Sequence, residues 1–252
     1  DNMADRGGYF DQAYVTTSLC SPSRASILTG LYAHTHTIVD NQAPNPGNLI
    51  YFPEHLQEAG YQTAFFGKWH MGDESDDPQP GFHHWESFKG QGVYTGVTLN
   101  INGEHTSYED SVYTSDLLTE HAVEWMEQLE SDQPFFVYLS HKAVHSEFKQ
   151  AARHAGMYAG VDYELPATYS QTQDGSYKEL LWPEWVKQQR HSWHGVDYMY
   201  HAKGAVGDLV IDYCETLMGV DESIGTVMAY LEARGIADET VVIYMGDNGF
   251  SW

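Results

Sequence analysis

Residues 53–70 read PEHLQEAGYQTAFFGKWH, and this stretch decides the fold class. Pro53 suits the first turn of a helix and Gly60 suits its end, so a short helix is predicted between them. The apolar run from Gln62 to Phe66 follows at once and predicts a buried strand. A helix that leads directly into such a strand is typical of α/β proteins with a parallel sheet.

The same alternation of helices and apolar strands continues on both sides of this stretch. Helical spacing of apolar residues predicts helices at Ser115 to Leu129 and at Leu209 to Ala233. Apolar runs predict further strands at Phe10 to Thr17, Phe135 to Leu139 and Thr240 to Met245. Together these elements predict an α/β fold, with a mostly parallel sheet sandwiched between helices.

Two long segments, 73–110 and 150–207, show little periodicity and are predicted to be loop-rich insertions. The second segment is rich in aromatic residues, which either stack on sugar rings or only pack the insertion. These residues are Trp182, Trp185, Trp193, Tyr198 and Tyr200.

Composition narrows the class of protein. The 252 residues contain 12 Lys and Arg against 36 Asp and Glu, which gives a formal net charge of -24. Such an acidic surface repels phosphate backbones, so nucleic acid is not an expected partner. No run of about 18 apolar residues occurs, so no membrane span is predicted. Two cysteines do not make a disulfide framework.

Polar side chains follow three of the predicted strands at the point where each strand ends. Ligands of open α/β sheets bind at the carboxyl ends of strands, so these side chains are expected to line one crevice. They are Lys68 and His70, then His141 and His145, and finally Asp247 and Asn248.

Residues 20–30, CSPSRASILTG, add a candidate nucleophile to this crevice. Pro22 suits a first helical turn, which puts Cys20 at a helix N-terminus and Arg24 one turn later. Free backbone N–H groups and the helix dipole attract anions there. They also lower the pKa of a thiol, so a plain cysteine nucleophile is one interpretation.

The run Cys-x-Pro-Ser-Arg, followed by Leu-Thr-Gly, resembles the signature of the formylglycine-dependent (type I) sulfatases. That family belongs to the alkaline-phosphatase-like superfamily. Two later motifs, GKWHMG at 67–72 and GDNG at 246–249, resemble the family's further motifs and come in its order. The resemblance extends over essentially the whole chain, although the two insertions carry little of it.

The resemblance implies a specific chemistry for these residues. Cys20 is expected to be oxidised to Cα-formylglycine (3-oxoalanine) by a formylglycine-generating enzyme, whose hydrate attacks sulfur. The implied metal is Ca²⁺, with Mg²⁺ as the alternative, held by Asp247, Asn248 and the converted Cys20. The other catalytic residues are Arg24, Lys68, His70 and His145, and the residues that bind substrate are His141, Lys68 and His145.

Two departures from the family pattern concern the ends of the chain. The acidic pair that completes the family's metal site does not precede Cys20, since Asp1, Asp5 and Asp11 lie at the wrong places. A further lysine and a small C-terminal subdomain are expected beyond Trp252. We therefore predict that residues 1–252 form one sulfatase catalytic domain that is incomplete at both ends and inactive by itself.

Three functions remain in competition. The first is hydrolysis of a sulfate ester on a sulfated sugar or glycan, such as glucosamine 6-sulfate. The second is hydrolysis of phosphate or phosphonate esters on the same scaffold. The third is a catalytically dead binding module, against which the intact cysteine motif argues. The resemblance further implies an exported location, periplasmic or extracellular, or a lysosomal one.

Overall fold

The computed structural model describes residues 2–72, 75–164, 183–189 and 206–249. In this part of the chain five strands form one sheet, in the order β4-β3-β2-β1-β5. β1 is parallel to β2 and to β5, and β3 alone runs against the others. The predicted α/β fold with a mostly parallel sheet is therefore confirmed. The strands are β1 (Gln62–Lys68), β2 (His84–Phe88), β3 (Thr98–Ile101), β4 (Glu104–Ser107) and β5 (Phe135–Ser140).

The helices include all those that the sequence predicts, with ends that differ by no more than three residues. None of those in the described ranges is both long and apolar enough to cross a membrane. They are α1 (Asn2–Arg6), α2 (Cys20–Thr29), α3 (Ala33–His36), α4 (Phe52–Glu58), α5 (Thr114–Glu127), α6 (Glu184–Gln189) and α7 (Val206–Ala233), with a 3-10 turn at Ala237–Glu239.

Alternate side chains of β1 pack on opposite faces of the sheet, as the two-residue period of a strand requires. Phe65 joins one apolar cluster together with Leu28 of α2 and Tyr51 at the start of α4. Ala64 and Phe66 join a second cluster with residues of α5. α4 packs on β1 at the face of the first cluster, and α5 packs on β1 and β5 at the face of the second, so the sheet lies between two helical layers, as predicted. α7 in turn packs on α5.

Segment 73–110, predicted to be loop-rich, also contains three strands that the sequence analysis did not predict: β2, β3 and β4. β2 has no apolar pattern that would predict a buried strand, because it buries an acid, Glu86. The two carboxylate oxygens of Glu86 lie 2.8 Å from His84 Nε2 and 2.6 Å from His121 Nδ1. β3 and β4 are joined by Asn102-Gly103, both with positive φ, 52° and 98°. That pair is a strong hairpin signal, so the sequence did carry the information.

Two predicted strands do not form. Phe10 to Thr17 and Thr240 to Met245 pair with no strand in the described part of the chain. Phe10 is 84% exposed and Val241 is 86% exposed. An apolar run becomes a buried strand only where a neighbouring strand satisfies its backbone groups, and these two runs stay at the surface without such a neighbour in the described part of the chain.

Only part of the second predicted insertion is described. Residues 150–164 are turns that contact α7, where Glu215 accepts hydrogen bonds from Gln150 Nε2 at 2.7 Å and from the Tyr158 N–H at 3.1 Å. Trp185 of α6 is exposed. The other aromatic residues considered for sugar stacking lie outside the described residues: Trp182, Trp193, Tyr198 and Tyr200.

Candidate active site

The candidate site lies where β1 and β5 end side by side. Gly67 of β1 pairs with Ser140 of β5, so the two strands end at the same level. A Cβ on Gly67 would meet the Ser140 carbonyl oxygen at 2.0 Å, so only glycine permits this approach. Ser140 Oγ donates to the Lys68 carbonyl oxygen at 2.9 Å, which ties the two strand ends together.

Cys20 lies in the first turn of α2, where the sequence predicts it, and is 7% exposed. The start of the helix is anchored by its next residue. The Ser21 N–H donates to Asn41 Oδ1 at 3.0 Å, and Ser21 Oγ donates to the His70 carbonyl oxygen at 2.5 Å. These bonds hold Cys20 beside the residues that follow β1.

Arg24 connects the parts of the site that are far apart in the sequence. Its Nη1 donates to the Lys68 carbonyl oxygen at 2.6 Å and to Ser140 Oγ at 2.8 Å. Its Nε and Nη2 donate to Asp247 Oδ2 at 3.0 and 2.8 Å. Because Arg24 is 6% exposed, this is a buried, charge-assisted contact that fixes where Asp247 lies.

Asp247 therefore reaches the predicted site although the segment before it is not a strand. Burial alone would raise the pKa of this carboxyl, but the charges of Arg24 and Lys68 outweigh burial and lower it. Ser23 Oγ also donates to the Asp247 carbonyl oxygen. Asn248 follows directly and is partly buried. The side chain of Asp247 is thus a carboxylate held on the Cys20 side of the sheet.

Lys68 provides a cation next to the sulfur. Its Nζ lies 3.8 Å from Cys20 Sγ and donates to Gln91 Oε1 at 2.6 Å. Burial, followed by the charge of Arg24, lowers the pKa of Lys68 to about 8. Gln91 was missed from the sequence, because a glutamine in a glycine-rich loop carries no distinguishing pattern.

The pKa values of two of the three predicted histidines, His70 and His145, are lowered by the same causes. Burial and then Lys68 lower the pKa of His70 to about 3, and the same two causes lower that of His145 to about 4. His70 Nδ1 is buried without a hydrogen-bond partner in the described part of the chain. His145 Nδ1 lies 2.6 Å from the Ser146 carbonyl oxygen, so Nδ1 carries the proton of the neutral ring.

His141 lies in a different place. Its Nε2 is 2.9 Å from Ser223 Oγ on α7, and burial lowers its pKa to about 4. Ser223 also bonds Thr119 of α5 at 2.6 Å, so His141 takes part in packing the two helices against the sheet. The contacts bring together Cys20 and Lys68 with Arg24 and Asp247, and they direct His141 toward the helices instead.

The fit of a divalent metal can be judged from the donor atoms. Asp247 and Asn248 offer a carboxylate and an amide oxygen, the ligand type that Ca²⁺ and Mg²⁺ prefer. One oxygen of Asp247 is already engaged by Arg24. No group of three His, Cys, Asp or Glu residues suited to a metal exists in the described ranges. The described residues therefore do not complete a calcium site, and the metal stays a prediction.

Comparison with known proteins relates this arrangement to one family. The family model described as Sulfatase matches residues 1–252. An N-acetylglucosamine-6-O-sulfatase of Bacteroides thetaiotaomicron is 30% identical over 301 residues, covering 99% of this chain and 53% of that protein. The chain thus spans about half the length of this curated relative.

Solved structures share the fold. A protein determined in complex with its substrate, D-glucosamine-2-N,6-O-disulfate, superposes with a TM-score of 0.69 at 29% identity, over 91% of this chain and 56% of that one. A phosphonate monoester hydrolase from Silicibacter pomeroyi gives a TM-score of 0.64 at 20% identity, over 90% and 52%, which shows a common fold alone. The motif at the start of α2, the alkaline-phosphatase-like fold and an end-to-end family match agree, and the chain belongs to the sulfatase family.

Proposed function

We propose that this protein hydrolyses sulfate esters, with Cys20 converted to Cα-formylglycine as the nucleophile. The observation that carries the proposal is the position of Cys20 in the first turn of α2, with Lys68 Nζ 3.8 Å from its sulfur. A cation and a helix N-terminus together favour an anionic group at that point. Membership of the sulfatase family supports the same chemistry.

The hydrated aldehyde carries two hydroxyl groups on one carbon. One hydroxyl loses its proton and its oxygen bonds to sulfur, while the bond from sulfur to the sugar oxygen breaks and the sugar leaves as an alcohol. The second hydroxyl then loses its proton, the carbon–oxygen bond to sulfate breaks, and the aldehyde is restored. Water adds again to complete the cycle. A simple serine sulfate has no such internal route to release.

The buried side chains divide this work between them. Lys68 binds the oxygens of the sulfate, where charge builds up in the transition state. Neutral His70, with a free Nδ1, accepts the proton of the diol. His145 donates a proton to the leaving oxygen, because a bound sulfate beside the ring favours its protonated form. Arg24 holds Asp247 in place.

Asp247 and Asn248 are proposed as oxygen ligands of Ca²⁺, with Mg²⁺ as the alternative. Further ligands are needed beyond those that the described residues offer. The proton transfers above use side chains of this chain only. His141 as a substrate contact remains a prediction, and its bond to Ser223 does not favour that role.

The proposed substrate is a sulfated sugar, with a 6-sulfated glucosamine as the first compound to test. It is supported by a relative named as an N-acetylglucosamine-6-O-sulfatase and by a structural neighbour with a disulfated glucosamine as substrate. A formylglycine-generating enzyme is the proposed partner. Export or a lysosomal location remains a prediction.

The decisive measurement is the mass of the peptide that contains Cys20, in protein co-expressed with the converting enzyme. Conversion lowers this mass by about 18 Da. The natural full-length protein, once converted, is expected to hydrolyse glucosamine 6-sulfate, and Cys20→Ala is expected to abolish this, whereas Cys214→Ala serves as the matched control. An unmodified thiol refutes the proposal, and faster hydrolysis of the matching phosphate ester favours the phosphatase alternative.

A further inference from the structure

Lys142 is a second buried lysine near the site, and none of the proposed steps uses it. It follows β5 by two residues and is 9% exposed. In the described part of the chain its ammonium makes no hydrogen bond and no ion pair with a carboxylate. Burial lowers its pKa to about 8.

The ammonium of Lys142 lies over an aromatic ring. Its Nζ is 4.8 Å from the centre of the Tyr94 ring, and the Tyr94 hydroxyl donates to the His145 carbonyl oxygen. Tyr94 belongs to the same loop as Gln91, the hydrogen-bond partner of Lys68. One loop, residues 89–94, thus holds both lysines in place.

The position of Lys142 follows from its contacts. The His145 N–H donates to the Lys142 carbonyl oxygen at 2.9 Å, and Tyr94, whose ring lies 4.8 Å from the Lys142 ammonium, donates its hydroxyl to the His145 carbonyl oxygen. Lys142 therefore lies next to His145, the residue proposed to donate a proton to the leaving alcohol. The charge of Lys142 also lowers the pKa of His145 and of Lys68.

A buried ammonium beside another buried ammonium is costly unless an anion comes between or beside them. The ring of Tyr94 offsets only part of this cost. The sulfate ester that reacts already has Lys68 as its cation. A second negative group, carried by the leaving alcohol, would give Lys142 the partner that the described residues do not supply.

We propose that Lys142 binds a second anionic group of the substrate, located on the part of the sugar that leaves. The site would then favour sulfate esters of glycans that carry a further sulfate or carboxylate. This inference rests on the proposed sulfatase function. Because Lys142 contacts the leaving group and not the reacting sulfur, it determines specificity.

The test compares three substrates of the natural full-length protein after conversion of Cys20. They are glucosamine 6-sulfate, glucosamine 2-N,6-O-disulfate, and 6-sulfated glucosamine linked to a uronic acid. The unmodified protein is expected to prefer one of the two dianionic compounds. Lys142→Met is expected to lower kcat/KM for that compound by roughly tenfold or more, the usual effect of losing one charge-assisted bond, and to lower kcat/KM for glucosamine 6-sulfate by a much smaller factor.

Lys142→Arg should restore most of the preference, and Lys89→Met, at an exposed position of the same loop, is the matched control. Equal losses on all three substrates, or a native enzyme without preference, overturn the inference. Binding measured in the Cys20→Ala background keeps it separate from the proposed function. If no sulfate ester is hydrolysed, the proposed function is refuted. The role of Lys142 is still decided by the ratio of the dissociation constants for the substrates with one and with two anionic groups.

Discussion

Replacing Lys68 by methionine should make the protein more stable while it abolishes hydrolysis. Lys68 is 2% exposed, and burial holds its pKa at about 8 against an ordinary 10.5. Each unit of pKa shift corresponds to about 1.4 kcal/mol, so about 2.5 units correspond to about 3 kcal/mol of unfavourable free energy at pH 7. Methionine fills a similar volume and carries no charge.

The sign of the pH dependence follows from the direction of the shift. The folded state binds this proton more weakly than the unfolded state does. The unfavourable free energy of burying the Lys68 charge is therefore fully present below about pH 8, and it disappears as the pH rises toward 10.5. The stability of Lys68→Met relative to the native protein should fall by about 2.5 kcal/mol between pH 7 and pH 10.

The measurement is urea unfolding of both proteins at several pH values. Packing changes and the lost bond to Gln91 contribute equally at each pH, so they cancel from the difference between pH values. Lys89→Met is the control, because an exposed lysine should show no such trend. If the difference in stability between Lys68→Met and the native protein stays constant from pH 7 to pH 10, Lys68 is not a buried cation that destabilises the folded state.

Three further predictions concern the same site. Asp247→Asn leaves Arg24 buried without its carboxylate and should destabilise the protein by about 3 kcal/mol in urea unfolding; an unchanged midpoint contradicts this. Gly67→Ala should lower the free energy of unfolding by more than about 3 kcal/mol, because its Cβ would clash with the Ser140 carbonyl oxygen. Gly235→Ala, at a residue with φ of 70° and open space around it, should lower it by only about 1 kcal/mol. Equal shifts of the thermal midpoint in the two variants would argue against the clash. The kcat/KM of the converted enzyme should fall as pH rises through about 8, where Lys68 loses its proton, and a flat profile up to pH 10 would exclude Lys68 as the sulfate cation.

The sequence predicts the parts of the site that depend on local signals. Pro22 and Gly30 mark the helix that carries Cys20, and the apolar run before Gly67 marks the strand that delivers Lys68. The prediction that Cys20 and Lys68 lie at the same edge of the sheet needs only the rule that the carboxyl ends of parallel strands meet at one edge. For this reason the meeting of Cys20, Arg24 and Lys68 could be expected from the sequence, whereas Asp247 reaches them through its contact with Arg24 and not from the end of a strand.

Contacts that depend on tertiary structure were out of reach. Gln91 reaches Lys68 because β2 lies next to β1, and no local pattern shows which loop glutamine will do so. Thr240 to Met245 has the composition of a buried strand, yet whether it becomes one depends on a neighbour. His141 and His145 are separated by three residues and still face different surroundings, since one bonds α7 and the other stays near Lys68.

The contact between Arg24 and Asp247 joins residues 223 positions apart, and in the folded chain Cys20 is only 7% exposed. An enzyme that must oxidise Cys20 therefore has ready access to it only before the chain has folded. At a synthesis rate of roughly 5–20 residues per second, about 10 to 45 s pass on the ribosome between the appearance of Arg24 and that of Asp247. We therefore expect conversion to compete with translation and folding, so that slower synthesis gives a larger converted fraction.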